Sequence, residues 1–273
     1  MIEKLFFLPY LWLPVTWIIF GFGAVFGSFL NVCIIRIPQK SFFSPPRSTC
    51  PHCSKPIPIW LNIPILSWLL LRGMSQCCKK KISWQYPVVE LLTAILTVIC
   101  YWQHPFVPND PPYTFWHQTT LLRFGHLLLF TYVLLVCSVI DIRLQIIPNV
   151  ISLPMIAMSP IVAIIHPDLD LYSSTIGIIA GGGSLYLISW LYYLFRKEIG
   201  LGMGDVKLLG AIGGWLGYQA IIPTVFVGSI TGSLVGVLLL LMKKGSLKMA
   251  VPFGPFLSIG AWIHMISQMH FFF

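Results

Sequence analysis

The chain has 273 residues, of which 57% are apolar and only 9% are charged, whereas about 25% of the residues in an ordinary soluble domain are charged. This composition excludes a soluble globular protein. The 17 Lys and Arg residues outnumber the 8 Asp and Glu residues, and in a membrane protein such an excess first indicates how the chain is oriented.

Apolar segments long enough to cross a bilayer follow one another along the chain. A spanning helix needs about 20 mostly apolar residues, so we predict an all-α fold, a polytopic membrane helix bundle of about eight transmembrane helices. The first segment is too long for the core of a signal peptide and no small-residue cleavage site follows it, so we expect it to remain in the protein. The predicted spans are residues 11–35, 86–102, 120–140, 150–166, 174–195, 207–222, 223–242 and 251–270.

The cations lie in alternate connections between these spans. Residues 36–81, a loop between a first transmembrane segment (1–35) and the main bundle (82–273), carry eight Lys and Arg residues and no acid. Fifteen of the 17 cations fall in this loop and in every second connection after it, whereas the opposite connections contain acids but no Lys or Arg. Because cationic loops remain in the cytoplasm, we predict a cytoplasmic 36–81 loop and periplasmic termini.

Two of the scarce acids are predicted at the same edge of the membrane. Asp141 ends the third span in the sequence VIDIR, and Asp205 opens the sixth in the sequence GMGDVK. A carboxylate near hydrocarbon is costly unless it is paired, solvated or protonated, which makes both acids candidate functional groups. Gly202 and Gly204 remove side-chain bulk and permit positive φ, so we expect a sharp turn before Asp205 that leaves room for another chain.

A close pair of carboxylates has a definite chemistry. The two groups share a proton, so that one deprotonates a water while the other protonates a carbonyl oxygen, as in aspartic proteolysis. One alternative is that each acid is a helix-end residue neutralised by its neighbour, Asp141 by Arg143 and Asp205 by Lys207. Another is an ion-coupled transporter in which the acids relay protons or cations, although transport favours acids near the bilayer midplane.

Four of the seven cysteines cluster in the cationic loop, as Cys50 and Cys53 and as the adjacent pair Cys77 and Cys78. In a reducing cytosol such cysteines indicate metal binding or redox chemistry rather than structural disulfides, and Cys-x-x-Cys spacing lets two thiolates reach one tetrahedral zinc ion. The alternatives are a flexible basic loop with spare thiols and a zinc sensor on a membrane anchor. The other three, in or beside predicted spans, are expected to be buried apolar residues: Cys33, Cys100 and Cys137.

Three consecutive lysines, residues 79–81, close this loop. They are most simply a topology signal with affinity for anionic lipid. No aromatic platform or RNA-binding motif accompanies them. Membrane lipid is therefore an expected partner, and nucleic acid is not.

Five stretches in chain order resemble the motifs of the type IV prepilin peptidases, a family of membrane aspartic peptidases that includes the prepilin leader peptidase/N-methyltransferases. The resemblance runs from about residue 21 to residue 261. The stretches are GSFLNV at 27–32, ISWQYPVVE at 82–90, IDIR with IPN at 140–149, GLGMGDVKLL at 200–209 and PFGPF at 252–256.

The resemblance implies a function. Asp141 and Asp205 would be the catalytic pair that cuts the basic leader from prepilins and pseudopilins after a Gly, at the cytoplasmic face of the bacterial inner membrane. Family members that carry the loop commonly also methylate the new N-terminal amine with S-adenosylmethionine. The loop contains no Gly-rich nucleotide fingerprint, and the resemblance offers Gly73 as a candidate cofactor residue. Leu61 stands where relatives often have an acid, so a peptidase-only member is the alternative.

The resemblance also bears on zinc. In the family the loop usually closes with a second Cys-x-x-Cys just before the ISWQYPVVE motif, where this chain has Ser75 in the third cysteine position and Cys78 in the fourth. Adjacent cysteines can both bind one ion only with a strained turn. We therefore expect zinc bound by Cys50, Cys53 and Cys78 ahead of Cys77, with His52 as a possible substitute.

Overall fold

The computed structural model describes residues 4–41, 49–50, 52–105, 118–198, 200–242 and 251–268. Within these ranges the regular structure consists of nine α-helices and two short 3₁₀ turns, together with two isolated β-bridges. The predicted all-α fold is confirmed. The helices are α1 (Lys4–Arg36), α2 (Leu66–Leu70), α3 (Gln85–Gln103), α4 (Gln118–Leu144), α5 (Asn149–Ile165), α6 (Leu171–Arg196), α7 (Met203–Leu216), α8 (Ile221–Leu241) and α9 (Gly254–Ser267).

Each predicted span overlaps one helix, and α2 is a short addition within the cationic loop. Among the residues that the structure describes, five segments are long and apolar enough to cross a membrane. The helices α5, α7 and α9 have 17, 14 and 14 residues, fewer than the roughly 20 that a perpendicular span needs. A multi-pass membrane protein is thus confirmed, while the count of eight spans remains a prediction. The five segments are Pro14–Arg36, Gln85–Gln103, Thr119–Leu144, Leu171–Arg196 and Tyr218–Leu241.

The chain divides into two compact units, Met1–Phe124 and Gly125–Phe273. In the first unit α1 packs closely along α3. A Cβ added at Gly23 would lie 2.5 Å from Thr97 Oγ1, and one added at Gly27 would lie 2.6 Å from the Cα atom of Glu90. Small residues therefore allow the two apolar helices to touch through their backbones.

In the second unit α7 is the central helix, because α6 and α5 both form hydrogen bonds with it. The bond from α6 goes to the backbone of α7, and the bond to α5 comes from the side chain of Trp215. Ser174 of α6 donates a hydrogen bond to the carbonyl oxygen of Gly214 at 2.7 Å, and Trp215 Nε1 donates to the carbonyl oxygen of Met155 in α5 at 2.8 Å. Gly177 of α6 meets the backbone of α7 at Gly213. This packing fixes the C-terminal end of α7.

Part of the predicted charge pattern lies outside the described residues. Among the cations used to orient the chain, this applies to Arg47 and to the three lysines between the last two predicted spans. The orientation of the bundle in the membrane therefore stays a prediction. The three lysines are Lys243, Lys244 and Lys248.

Candidate active site and metal centre

Asp141 lies in the last turn of α4 and is buried, with 5% of its surface exposed. Its Oδ2 atom accepts a hydrogen bond of 3.0 Å from the backbone N–H of Gly254, the first residue of α9. The first N–H groups of a helix lack partners inside the helix and carry partial positive charge. The Gly254 N–H therefore offsets part of the cost of burying a charged carboxylate at Asp141.

Position 254 requires a residue without a side chain. A Cβ atom there would lie 2.8 Å from Oδ2 of Asp141 and 3.1 Å from Cδ1 of Ile147. Real Cβ atoms essentially never approach another heavy atom so closely, so any larger residue would displace the carboxylate. The sequence marks Gly254 only as part of the PFGPF motif and does not reveal this role.

Asp205 is the third residue of α7 and is half-buried. Its backbone N–H donates to the carbonyl oxygen of Gly202 at 3.1 Å, which closes the turn that starts the helix. The charge of Asp141 acts on Asp205. The structure therefore brings together the two acids that the sequence singles out, although they are far apart in the chain.

Ile147 fills the space between the two acidic turns. A Cβ atom added at Gly204 would lie 3.1 Å from Cβ of this residue, and one at Gly254 would meet its Cδ1. The predicted positive φ is wrong: Gly202 has φ −71° and ψ 137°, and Gly204 is helical. Gly204 is instead needed for close packing, and Gly202 leaves an open, exposed edge beside Asp205.

The neighbouring cations do not neutralise the two acids. Lys207 Nζ donates to Oδ1 of Asn149 at 2.8 Å. In the described part of the chain neither Asp141 with Arg143 nor Asp205 with Lys207 forms an ion pair. Two acids held close together without a cation are suited to share a proton.

The four loop cysteines form a single cluster in the first unit. The Sγ atoms of Cys50, Cys53, Cys77 and Cys78 all lie within 4.8 Å of one another. The Cys50–Cys78 separation is 3.7 Å and the Cys53–Cys77 separation is 3.1 Å. Zinc–thiolate bonds of about 2.3 Å in a tetrahedron put sulfur atoms about 3.8 Å apart, so the set fits a four-thiolate site that includes Cys77.

The backbone explains how Cys77 joins the cluster. The described residues 49–50 and 52–56 repeat the turn of residues 74–81, with Ser75 at the position of Cys50 and Cys77 at the position of His52. The Ser75 hydroxyl lies 3.3 Å from Cys50 Sγ and 3.0 Å from Cys77 Sγ, so it occupies the place of a thiol and holds two others. The shared features are the bridges Thr49–Pro56 and Met74–Lys81, the hydrogen bonds Cys50 N–H to Lys55 O and Ser75 N–H to Lys80 O, and positive φ at Ser54 and Lys79.

The protonation of these thiols favours a bound cation. Burial raises the pKa of the Cys50 thiol, but hydrogen bonds from the Ser75 hydroxyl and from the backbone of His52 and Cys53 lower it, to about 5. The pKa of the Cys53 thiol is raised to about 12, mainly because of its hydrogen bond with Cys77. The Cys50 thiolate therefore forms readily, whereas the raised pKa of Cys53 opposes a second thiolate. A full set of thiolates needs the positive charge of a metal ion.

His52 stands apart from the thiol cluster. Its Nε2 atom lies 3.0 Å from the carbonyl oxygen of Lys81, so the imidazole ties the two loops together at their rim. Substitution of His52 for a cysteine ligand, the alternative that the sequence leaves open, is not required, because Cys77 completes the set of four.

A cavity of about 300 Å³ also lies in the first unit. Its walls include one carboxylate, Glu90, one guanidinium, Arg36, and the aromatic side chains of Trp68 and Tyr86. Gly73 does not line it but stands behind one wall: it has φ +68°, and a Cβ there would lie 2.7 Å from the Trp68 ring. The sequence does not single out Glu90, which ends the ISWQYPVVE motif.

Two family models match the chain. The bacterial peptidase A24 N-terminal domain matches residues 21–104, and the type IV leader peptidase family matches residues 128–237. No solved structure matches.

Curated proteins named prepilin leader peptidase/N-methyltransferase are similar over most of the chain. One from Aeromonas hydrophila is 34% identical over 95% of this chain and 92% of its own length. One from Neisseria gonorrhoeae is 36% identical over 88% of this chain and 86% of its own length. One from Pectobacterium carotovorum subsp. carotovorum is 34% identical over 90% of this chain and 91% of its own length.

Proposed function

This chain belongs to the type IV leader peptidase family, and on that premise we propose that it is a diaspartyl endopeptidase of the bacterial inner membrane. Its substrates are type IV prepilins and pseudopilins, from which it removes the basic leader peptide. It then methylates the new N-terminal residue with S-adenosylmethionine as methyl donor. The observation that carries the peptidase function is the pair of acids, Asp141 and Asp205, held together without a neutralising cation.

The surroundings of the two acids suggest different roles in cleavage. Asp141 receives the Gly254 N–H at the start of α9, which offsets part of the cost of burying its charged form. Its negative charge acts on Asp205, which favours a proton on the second acid. Asp141 then takes a proton from the attacking water while Asp205 gives its proton to the scissile carbonyl oxygen. When the tetrahedral intermediate collapses, Asp141 passes its proton to the leaving amine and the carbonyl oxygen returns its proton to Asp205.

The proposed orientation fits such a substrate. The cation pattern supports a cytoplasmic loop at 36–81, eight spans, periplasmic termini and an active site at the cytoplasmic face. A prepilin has a leader in the cytoplasm followed by an apolar helix in the membrane, so its scissile bond would lie at that face. The exposed edge at Gly202 beside Asp205 would admit the extended leader.

We assign the cysteine cluster as a zinc site. Cys50, Cys53, Cys77 and Cys78 would hold the ion, and the Ser75 hydroxyl, which lies close to Cys50 and Cys77, would donate its one hydrogen bond to one of these two thiolates. A closed four-thiolate site serves structure rather than chemistry. It would hold together two loops that His52 also links through its contact with the carbonyl oxygen of Lys81.

One experiment tests both activities. Membranes that contain the full chain are incubated with a prepilin, with and without S-adenosylmethionine, and the product is measured by mass spectrometry. We expect cleavage after a Gly in both samples and the added mass of one methyl group only when the donor is present. Uncut prepilin would contradict the peptidase, and a cut but unmethylated product would contradict the methyltransferase.

Replacing Cys77 tests the zinc site. We expect the purified protein to contain zinc and the Cys77→Ser variant to bind it at least about 100-fold more weakly, because a closed site loses one of four ligands. Zinc is measured by mass spectrometry during titration with a chelator. Cys33→Ala, which removes a buried thiol of α1 outside the cluster, should keep its zinc.

A rescue variant makes the same test more specific. Ser75 occupies the position in its loop that Cys50 occupies in the other, so Cys77→Ser combined with Ser75→Cys should regain tight zinc binding. Wild-type zinc affinity in Cys77→Ser alone would show that three cysteines suffice, as the sequence predicts.

A further inference from the structure

Glu90 is the one acidic residue among the described residues of the first unit, and it is buried, with 7% of its surface exposed. It lies in the second turn of α3, beside apolar and membrane-spanning surface. An acid at such a position is costly unless it has partners, and it marks a functional site by default.

Part of the role of Glu90 is to hold a strained turn. Its Oε2 atom accepts a hydrogen bond of 2.7 Å from the backbone N–H of Ile65. Ile65 has φ 62° and ψ −54°, and the N–H of Leu66 bonds to the carbonyl oxygen of Pro64 at 2.5 Å. This is a γ-turn in its rare positive-φ form, which a β-branched residue adopts only under constraint. Strained backbone of this kind is concentrated at binding and active sites.

The strained turn and its acid form part of the wall of the cavity. Ile65 and Glu90 both line it, together with Arg36, Trp68 and Asn31. Asn31 is almost fully buried and donates through Nδ2 to the carbonyl oxygen of Tyr86 at 3.1 Å. The cavity thus joins one negative group, one positive group, aromatic surface and fixed amides. Its volume of about 300 Å³ is at the lower end for small-molecule sites.

These groups match one ligand better than others. S-adenosylmethionine carries a sulfonium and an ammonium cation, a carboxylate, a planar adenine ring and a ribose. Glu90 can balance a cation, Arg36 a carboxylate, and Trp68 offers ring surface. A lipid chain carries neither charge, and the start of a mature pilin brings its N-terminal amine, which Glu90 could also balance, but no terminal carboxylate for Arg36.

We propose that this cavity is the site at which the chain binds S-adenosylmethionine, and that the charge of Glu90 selects the cationic methyl donor over its neutral product. This inference rests on the methyltransferase activity proposed above. After the methyl group has moved to the amine, S-adenosylhomocysteine remains as an uncharged thioether. A fixed carboxylate therefore favours the donor and assists release of the product.

Replacing Glu90 by Gln separates charge from structure. The amide oxygen of Gln can still accept the Ile65 N–H, so the strained turn is kept while the charge is lost. Titration calorimetry on the purified full chain measures Kd for S-adenosylmethionine and for S-adenosylhomocysteine. We expect Glu90→Gln to weaken binding of the donor at least about tenfold and binding of the product about twofold or less. Arg72→Gln, an exposed charge change outside the cavity, should alter neither.

A second variant tests the location without touching Glu90. Ser41 lines the cavity, and Ser41→Trp should fill part of it, so both compounds should bind at least about tenfold more weakly. Thermal unfolding and zinc content show that each variant is folded.

The outcomes separate this inference from the proposed function. A wild type that neither binds S-adenosylmethionine nor methylates the product contradicts the methyltransferase itself. If the wild type does both, an unchanged ratio of the two Kd values in Glu90→Gln overturns the role of its charge. Unweakened binding in Ser41→Trp overturns the cavity as the site.

Discussion

Asp141→Asn and Asp205→Asn each lower the rate of prepilin cleavage at least about 10³-fold, because general acid–base catalysis contributes 10²–10⁴-fold and each variant removes one member of the pair. Asn has the size of Asp, and its amide oxygen can still accept the Gly254 N–H. The lost activity would therefore reflect lost proton transfer rather than lost packing. Initial rates are measured in membranes by mass spectrometry of the released product.

Asp168, an acid outside the proposed active site, provides a control for the replacement of Asp by Asn. Asp168 is exposed in the connection between α5 and α6, and Asp168→Asn should cleave within about twofold of the wild type, as expected for a surface change. Normal cleavage by either Asp141→Asn or Asp205→Asn would exclude the diaspartyl mechanism. Equal expression and equal unfolding temperatures show that the variants are folded.

Gly254→Ala lowers kcat for cleavage about 100-fold with little change in KM, because a displacement of about 1 Å in a catalytic group costs that much. The added Cβ would lie 2.8 Å from Oδ2 of Asp141, so the carboxylate must move although the N–H that binds it remains. Gly254 acts through Asp141 and is a positioning residue. Steady-state kinetics with a purified prepilin separate kcat from KM.

The chain offers matched glycine controls for this prediction. A Cβ added at Gly183 in α6 meets nothing within 4 Å, so Gly183→Ala should leave both constants unchanged. The contacts of an added Cβ lengthen from 2.8 Å at Gly254 to 3.1 Å at Gly204 and 3.4 Å at Gly202, so the loss of kcat should decrease in that order. A Gly254→Ala variant with wild-type kcat would mean that Asp141 is not held where the structure has it.

The helical architecture could be predicted from the sequence because it depends on local properties of the chain. A long apolar segment can satisfy its backbone hydrogen bonds in a membrane only as a helix, so composition and segment length suffice to find eight of the nine helices. The same reasoning does not find α2, whose five residues lie in the cationic loop. The three short helices leave open how many segments cross the bilayer.

The two acids could also be predicted, because carboxylates are so scarce in this chain that each one near hydrocarbon needs an explanation. Their surroundings could not. Gly254 lies 113 positions from Asp141 in the chain, and nothing local indicates that its N–H binds that carboxylate. The sequence predicts that Gly204 removes side-chain bulk, but it does not indicate that Ile147 takes up this space, because that contact is a tertiary one.

The metal centre and the cavity also combine features that the sequence predicts with contacts that only the structure shows. The sequence predicts Cys50, Cys53 and Cys78 as ligands, but Cys77 joins them only because the second loop repeats the turn of the first, with Ser75 in the place of a cysteine. Glu90 likewise belongs to a sequence motif, but only the structure shows that its carboxylate accepts the backbone N–H of Ile65. The sequence by itself determined the helices, the scarce acids and the family. Only the tertiary structure decided which distant groups meet, because contacts between them depend on packing rather than on local chain properties.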